Sequence, residues 1–427
     1  MNLSMDPLKP THFPRLAAAV MTALAWAPAL SAQTDPAPLG AAPVAPVLDA
    51  SLVVVSAAED AIALLDPDTG ERRAFFRVGV GPTAAAVSSD GRTAVVTHRG
   101  RALSGNSICV IDLHAASIVR TIPLTTTTVR ADGTSVIRSY HRPDDVLFFP
   151  GEARVLVSCA SEGALLQVDL LQKKVIGVVE LGGVGADDIV LDHAGKHAYV
   201  TDRAAGKVHI VRLESMTVAR SLDAGGGTTG IAVHPTRNEV WATNTHTNTI
   251  SIIDCDKLEE RLEFPCGAMP VDLAFTPDGK HALVVNHQEG NVSIIDSRSL
   301  RVRALVKIPR VSSEQAAARP VAEPVAFGRS SLPTAVAVEP SGDRAWITAE
   351  RSDLVHEVDL ASWKITATHQ GPGAPAHVTW SALTPEAITS PIVPIAPSES
   401  SAGVSTDPWE RSFPGGGLPA PPADIER

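Results

Sequence analysis

The chain has 427 residues, 44% apolar and 19% charged, with 31 glycines, 33 prolines and only 4% aromatic side chains. Its 36 basic and 47 acidic residues leave a formal charge of −11, so no broad positive field is present to hold a polyanion. Collagen, coiled coil and a wholly disordered chain are excluded, and the length suits one large domain or two ordinary ones.

Residues 1–32 read as an export signal. Lys9 and Arg15 form its positive flank, Leu16 to Ala27 is apolar except for Thr22, and Ala29-Leu30-Ser31-Ala32 offers small residues for cleavage after Ala32. That run is too short to span a bilayer comfortably, and no other segment reaches 18 apolar residues. The expectation is a periplasmic or secreted protein with no membrane span once the signal is removed. Residues 33–50 form a Pro/Ala linker, and residues 382–427 a Pro-rich tail expected to be disordered. Four cysteines are too few for a disulfide scaffold. Cys255 and Cys266 fall in one predicted hairpin, where a turn near Lys257-Leu258 would pair Asp254 with Arg261 and leave the two sulfurs out of register.

Between these ends the chain repeats itself. Six segments, starting at Pro82, Pro143, Ala186, Thr228, Pro270 and Pro333, share a short strand, a turn, a second strand, a polar loop and a strand ending near Ile-Asp. Successive starts lie 42 or 43 residues apart, except where the second and sixth units are longer. Gly91, Gly195, Gly279 and Gly342 mark the first turn, and Asp169, Asp254, Asp296 and Asp359 end the third strand. A unit of this length with four short antiparallel strands is a propeller blade, whose two apolar faces need neighbours on both sides. The segment before Pro82 has three strands and lacks the opening one, which Ala376–Ser381 supplies from the far end. The predicted fold is therefore all-β, a seven-bladed β-propeller of four-stranded antiparallel blades over residues 51–381. A three-plus-one blade from both termini would close it and remove free edges.

The stretches AYVTD (Ala198–Asp202), WATNTHTNTISIID (Trp241–Asp254) and LVVNHQEGNVSIID (Leu283–Asp296) resemble the YVTN-repeat, YncE-like propeller family. The resemblance implies the propeller fold. Its relatives include exported proteins, some of them DNA-binding, and propellers of redox enzymes, so it does not assign an activity.

In a propeller the loops between blades share one face, here called the top, with the loops joining second and third strands. The insertions, around HRGRALSGN, TTTTVRADGTSVIRSYHR and VSSEQAAARPVAEPVAFGRSS, all map to that face. The third residue of each opening strand should ring the channel mouth: Ala84, Asp145, Asp188, Gly230, Asp272, Ala335 and His377. Asp145, Asp188, Asp272 and His377 are the candidate ligand-binding set, since converging carboxylates repel unless a cation or a proton intervenes. Equally, each Asp could accept backbone N–H groups of the neighbouring blade. The top-face rim comprises His98, His141, Arg142, Asp202, Arg203, Asn244, His246, Asn286, His287, Glu350 and Arg351, with Cys159 beside His98 in blade order.

No GxSxG, HExxH, GxxxxGK[ST], CxxC or CxxCH motif is present, so no enzyme class, metal or cofactor is named and the balance tilts away from catalysis. Three readings follow. The first is a non-enzymatic scaffold binding a protein partner or small ligand on its top face. The second is a redox accessory propeller that docks an electron carrier or holds a metal or non-covalent haem-like cofactor, motivated by the family resemblance and by His98, His141, His246, His287 and His377. The third is a hydrolase or lyase using Asp145, Asp188 and His377. Nucleic acid could be held only through Arg130, Arg138, Arg142, Arg203 and Arg351.

Overall fold

The structure, a computed structural model, describes residues 50–149, 153–318 and 328–382. The expected signal, nearly all of the expected linker and tail, and part of the last insertion lie outside the described residues. Ala50 and Ala382, assigned above to linker and tail, are instead paired strand residues at the end of one ladder.

Seven four-stranded antiparallel sheets form the body, six of them from strands consecutive in sequence. The seventh joins the first three strands to the last one, so the strand Pro375–Ala382 lies inside Ala50–Ser56 and closes the ring. The inner strands Pro82–Val87, Pro143–Phe148, Ala186–Leu191, Thr228–Val233, Pro270–Phe275, Pro333–Val338 and Pro375–Ala382 touch one another in cyclic order and wall the central channel. Between blades the apolar faces of second and third strands stack. Trp241, Trp346, Tyr199, Leu52, Ile62 and Ile108 are among the largest fully buried side chains.

Third strands end in Asp for a local reason. The carboxylates of Asp112, Asp254 and Asp296 each accept two backbone N–H bonds from the turn that follows, and Asp169 and Asp359 each accept one. Four residues after the strand end the backbone is left-handed, at Lys173, Leu258, Leu300 and Trp363. The capping carboxylate holds a conformation that a non-glycine residue otherwise resists. This turn also corrects one expected register: Asp254 lies opposite Glu259, not Arg261, because the turn is centred on Asp256-Lys257, one residue earlier than Lys257-Leu258. All four cysteines are free.

The insertions build the top face. The first lengthens a hairpin, Thr93–Gly100 with Ser104–Asp112. The second is a separate hairpin not anticipated from sequence, Thr125–Val129 paired with Ser135–Ser139, whose Val129 and Ile137 stand exposed. The third contains a short helix, Ser313–Ala318.

Candidate functional site at the channel mouth

The inner strands are not regular, and their irregularity makes the site. In five of the six blades built from consecutive strands, pairing with the second strand skips from the first residue to the fourth, as between Pro143 and Val146 and between Ala186 and Ile189. The second and third residues leave the ladder, so their N–H groups need other partners. A hydroxyl near the end of the second strand supplies one: the N–H of Ala84, Asp145, Asp188 and Ala335 donates to Thr97, Ser158, Thr201 and Thr348 at 2.9–3.1 Å. Ser158 in turn donates to the Asp187 carbonyl of the next blade, as Thr97 does to that of Asp144. The Thr97 and Ser158 hydroxyls therefore each tie three strands together.

Of the predicted channel set, three members form a group and one stands apart. Asp145 Oδ2 accepts the Ile189 N–H of blade 4 at 2.9 Å, and Asp272 Oδ2 accepts the Val336 N–H of blade 7 at 2.8 Å. For these two the cross-blade bond expected of a structural Asp is present. Asp188 differs: its carboxylate accepts no hydrogen bond from any described residue. Burial, then the charges of Asp145, Asp272, Asp144 and Asp187, push its carboxyl well above the usual range. Burial also lifts Asp145 to about 7 and Asp272 to about 6, against the N–H bonds that pull the other way. His377, on the inner strand of blade 1, has its Nδ1 buried without a partner, and burial alone pushes the imidazole down to about 4. It is neutral at physiological pH and does not join the carboxylate group.

Two carboxylates that sequence reasoning passed over belong to the site. The skip in pairing turns Asp144 and Asp187, second residues of their strands, toward the same mouth. Asp144 Oδ1 takes a 2.6 Å bond from Arg99 Nη1 of blade 2, and Asp187 Oδ2 takes the Arg203 N–H at 2.9 Å. Burial, followed by the Asp144 charge, lifts Asp187 to about 8. The signal was the Asp-Asp doublet at one template position in successive repeats, but strict alternation sends only one of each doublet inward.

Most of the rim residues have partners within the fold. Asn244 bonds Thr249, Ser251 and Thr228, and Asn286 bonds Asn291 and Ser293, so both stitch their own blades. Asp202 accepts the Ala205 N–H and lies 3.4 Å from His209 Nε2. His98 is buried against Ser107, His141 pairs with Glu162 at 2.8 Å, and His287 bonds the Pro333 carbonyl. Arg351 is buried and donates to the Gly328 carbonyl, and the Glu350 N–H bonds the Leu332 carbonyl. Arg142, in a left-handed conformation, and His246 are exposed. Among the described residues no group of three His, Cys, Asp or Glu side chains is close enough to hold a metal ion.

Comparison with known proteins follows from this fold. No family profile matches the chain. The uncharacterized protein YncE of Salmonella typhi and that of Salmonella typhimurium are each 25% identical over 138 residues, 31% of this chain and 39% of theirs. The similarity to YncE is distant and covers part of the chain. Among solved structures, a functionally unknown protein from Desulfotomaculum acetoxidans superposes with a TM-score of 0.61 at 14% identity, over 78% of this chain and 99% of that one. Hydrazine synthase of Kuenenia stuttgartiensis follows at 0.53 and 17%, over 70% and 89%. The dihydro-heme d1 dehydrogenase NirN in complex with DHE also gives 0.53 and 17%, over 82% and 79%. These structural likenesses establish the propeller and carry no activity across.

Gly230 fills the ring position in blade 5 because nothing larger fits. A Cβ there would lie 2.6 Å from the Val271 carbonyl oxygen and 2.7 Å from Asp272 Cα, both backbone of the adjoining inner strand. Gly230→Ala is expected to destabilise by about 1–3 kcal/mol through forced separation of blades 5 and 6. Chemical denaturation checks this through a lowered midpoint at unchanged slope.

Proposed function

We propose that this YncE-like propeller is an exported, non-enzymatic binding protein that holds a protein partner or a small ligand on its top face, between the insertion loops and the acidic channel mouth. One observation carries the reading: every insertion emerges at the same end of the ring as the carboxylate group. The extended hairpin around Leu103 and the Thr125–Ser139 hairpin expose apolar side chains there. Rigid blades presenting enlarged loops beside a polar pit are the usual build of a recognition surface.

Site-specific photocrosslinking in the cells that make the protein tests it. A photoreactive residue replacing Leu103 or Ile137 should give discrete adducts, whereas one replacing Asp278, in a turn on the opposite face, should give none. Equal labelling at both faces, or no adduct at either, overturns the proposal.

A further inference from the structure

We propose that His234 is an acid-sensitive latch on the face opposite the insertions: when neutral it knots blades 4, 5 and 6 together, and one proton on its Nδ1 opens the turn it holds. This holds whatever the top face binds. His234 follows the inner strand of blade 5 and is fully buried. Its Nδ1 accepts two backbone N–H groups, from Thr236 at 3.2 Å and from Arg237 at 3.1 Å, so that nitrogen carries no hydrogen. The ring hydrogen is therefore on Nε2, which faces Ser297 Oγ of blade 6 at 3.5 Å. Ser297 can accept there because its own hydrogen goes to the Gly279 carbonyl at 2.6 Å. Phe275, also of blade 6, packs on the same ring with centroids 4.8 Å apart. From blade 4, His193 Nε2 donates to the His234 carbonyl at 2.8 Å.

Each bond in this knot has one direction, and only the neutral ring satisfies them all. A second proton, on Nδ1, would point at two N–H donors and place a buried positive charge beside Arg237. Arg237 donates to Ser297 Oγ at 3.3 Å and to the Ser297 carbonyl at 3.1 Å, so the turn is tied to blade 6 through it. Glu239 attracts positive charge at this spot but is already held by Arg237 at 2.6 Å and by Arg261 at 3.3 Å. On blade 4, His193 keeps its Nε2–H whether charged or not, so acid leaves its bond in place, while its charge opposes one on His234. Asp192 beside it is paired with His197 at 2.9 Å. On blade 6, Asp278 and Lys280 flank Gly279 and pair with each other at 2.9 Å. Burial, then the Arg237 charge, accordingly hold the imidazole below its ordinary 6.5. The stability this histidine contributes is present above that value and is lost as pH falls below it. Protonation releases the Thr236 and Arg237 N–H groups, and with Arg237 go its ties to Ser297.

The structure supplies its own reference. Gly342 lies in the equivalent turn of blade 7, where its N–H bonds the Glu339 carbonyl at 2.9 Å and no histidine takes part. Hydrogen exchange on the full chain, corrected for intrinsic rates, should show Arg237 protection falling about tenfold relative to Gly342 as pH drops from 7 to 5, the change expected when opening takes up one proton. The ratio cancels any change in global stability. His234→Asn keeps an acceptor for the turn, as Asp192 does in blade 4, but does not titrate, and should flatten the ratio. Should this variant fail to fold, long-range nitrogen–proton spectra of the wild type make the test directly, with a neutral His234 ring carrying its hydrogen on Nε2 at pH 7 as the expected result. Parallel behaviour of the two amides in the wild type overturns the proposal, as does an unchanged pH response in folded His234→Asn or a ring with its hydrogen on Nδ1.

Discussion

Replacing Asp188 by Asn is expected to raise stability at pH 8 by about 1 kcal/mol or more, since each pH unit by which folding raises a carboxyl above its usual range costs about 1.4 kcal/mol, and to change little at pH 4. The sign follows from linkage. The Asp188 carboxyl is held well above its usual range, so the native state keeps a proton that the unfolded chain releases. Stability contributed by such a group is intact below its unfolded value, near 4, and is lost as pH rises toward its raised native value. Asp145 at about 7, Asp187 at about 8 and Asp272 at about 6 act in the same direction. The wild-type protein should therefore lose stability steadily between pH 4 and 8, and Asp188→Asn should flatten part of that slope. Thermal unfolding across this range measures both effects. A variant less stable than wild type at pH 8 would mean that Asp188 has a stabilising partner after all. The prediction bears on function because Asp145 and Asp272 offset some of their burial cost through cross-blade bonds, whereas Asp188 offsets none among the described residues. A residue that costs stability and joins nothing in its own fold is the kind retained for what it binds.

The fold was legible because every repeat carries the same local chemistry. The turn glycines, the strand-ending Asp caps and the β-branched strands recur at one spacing, and each has a reason visible in a single blade. The closure was legible too, since an unmatched opening strand at one end has only one place to go. The site was only partly legible. Alternation pointed to Asp145, Asp188 and Asp272 on the inner strands, but it could not foresee that pairing skips two residues, which turns Asp144 and Asp187 out of the ladder as well. Nor could it separate Asp188 from its two bonded counterparts. That distinction depends on the neighbouring blade presenting an N–H at the right height, a property of stacking and not of any one repeat. His377 shows the converse: its template position matched the carboxylates, yet burial alone governs its imidazole and holds it neutral. The rim was over-read for a similar reason, since Asn244 and Asn286 are consumed by hydroxyl and amide partners on the next strand of their own blades.

A chain ending at residue 374 should fail to form the folded monomer. It would lack the strand Pro375–Ala382, which pairs along the whole of Ala50–Ser56 and seals the ring between blades 7 and 2. Without it the first blade presents an open edge of unpaired backbone groups, and the two channel-lining neighbours lose their apolar contact. The loss includes specific ties. Trp380 stacks on the fully buried Trp346 of blade 7, ring centroids 5.0 Å apart and planes at 25°, and Ser381 donates to the Gly91 carbonyl of blade 2 at 2.7 Å. Trp346→Ala probes the same junction with the backbone intact and is expected to cost about 3–5 kcal/mol. Arg344 stacks over that indole and also bonds Asp68 of blade 1 at 2.8 Å, so the blade 7–blade 1 contact is held at its outer end as well. Circular dichroism melts and size-exclusion chromatography decide the matter. The truncated chain should show no cooperative transition, or should elute as aggregate, while Trp346→Ala melts cooperatively at a lower temperature. A truncated chain that melts like the full one would show that the six intact blades hold the first without help, and that strand exchange between the termini is dispensable.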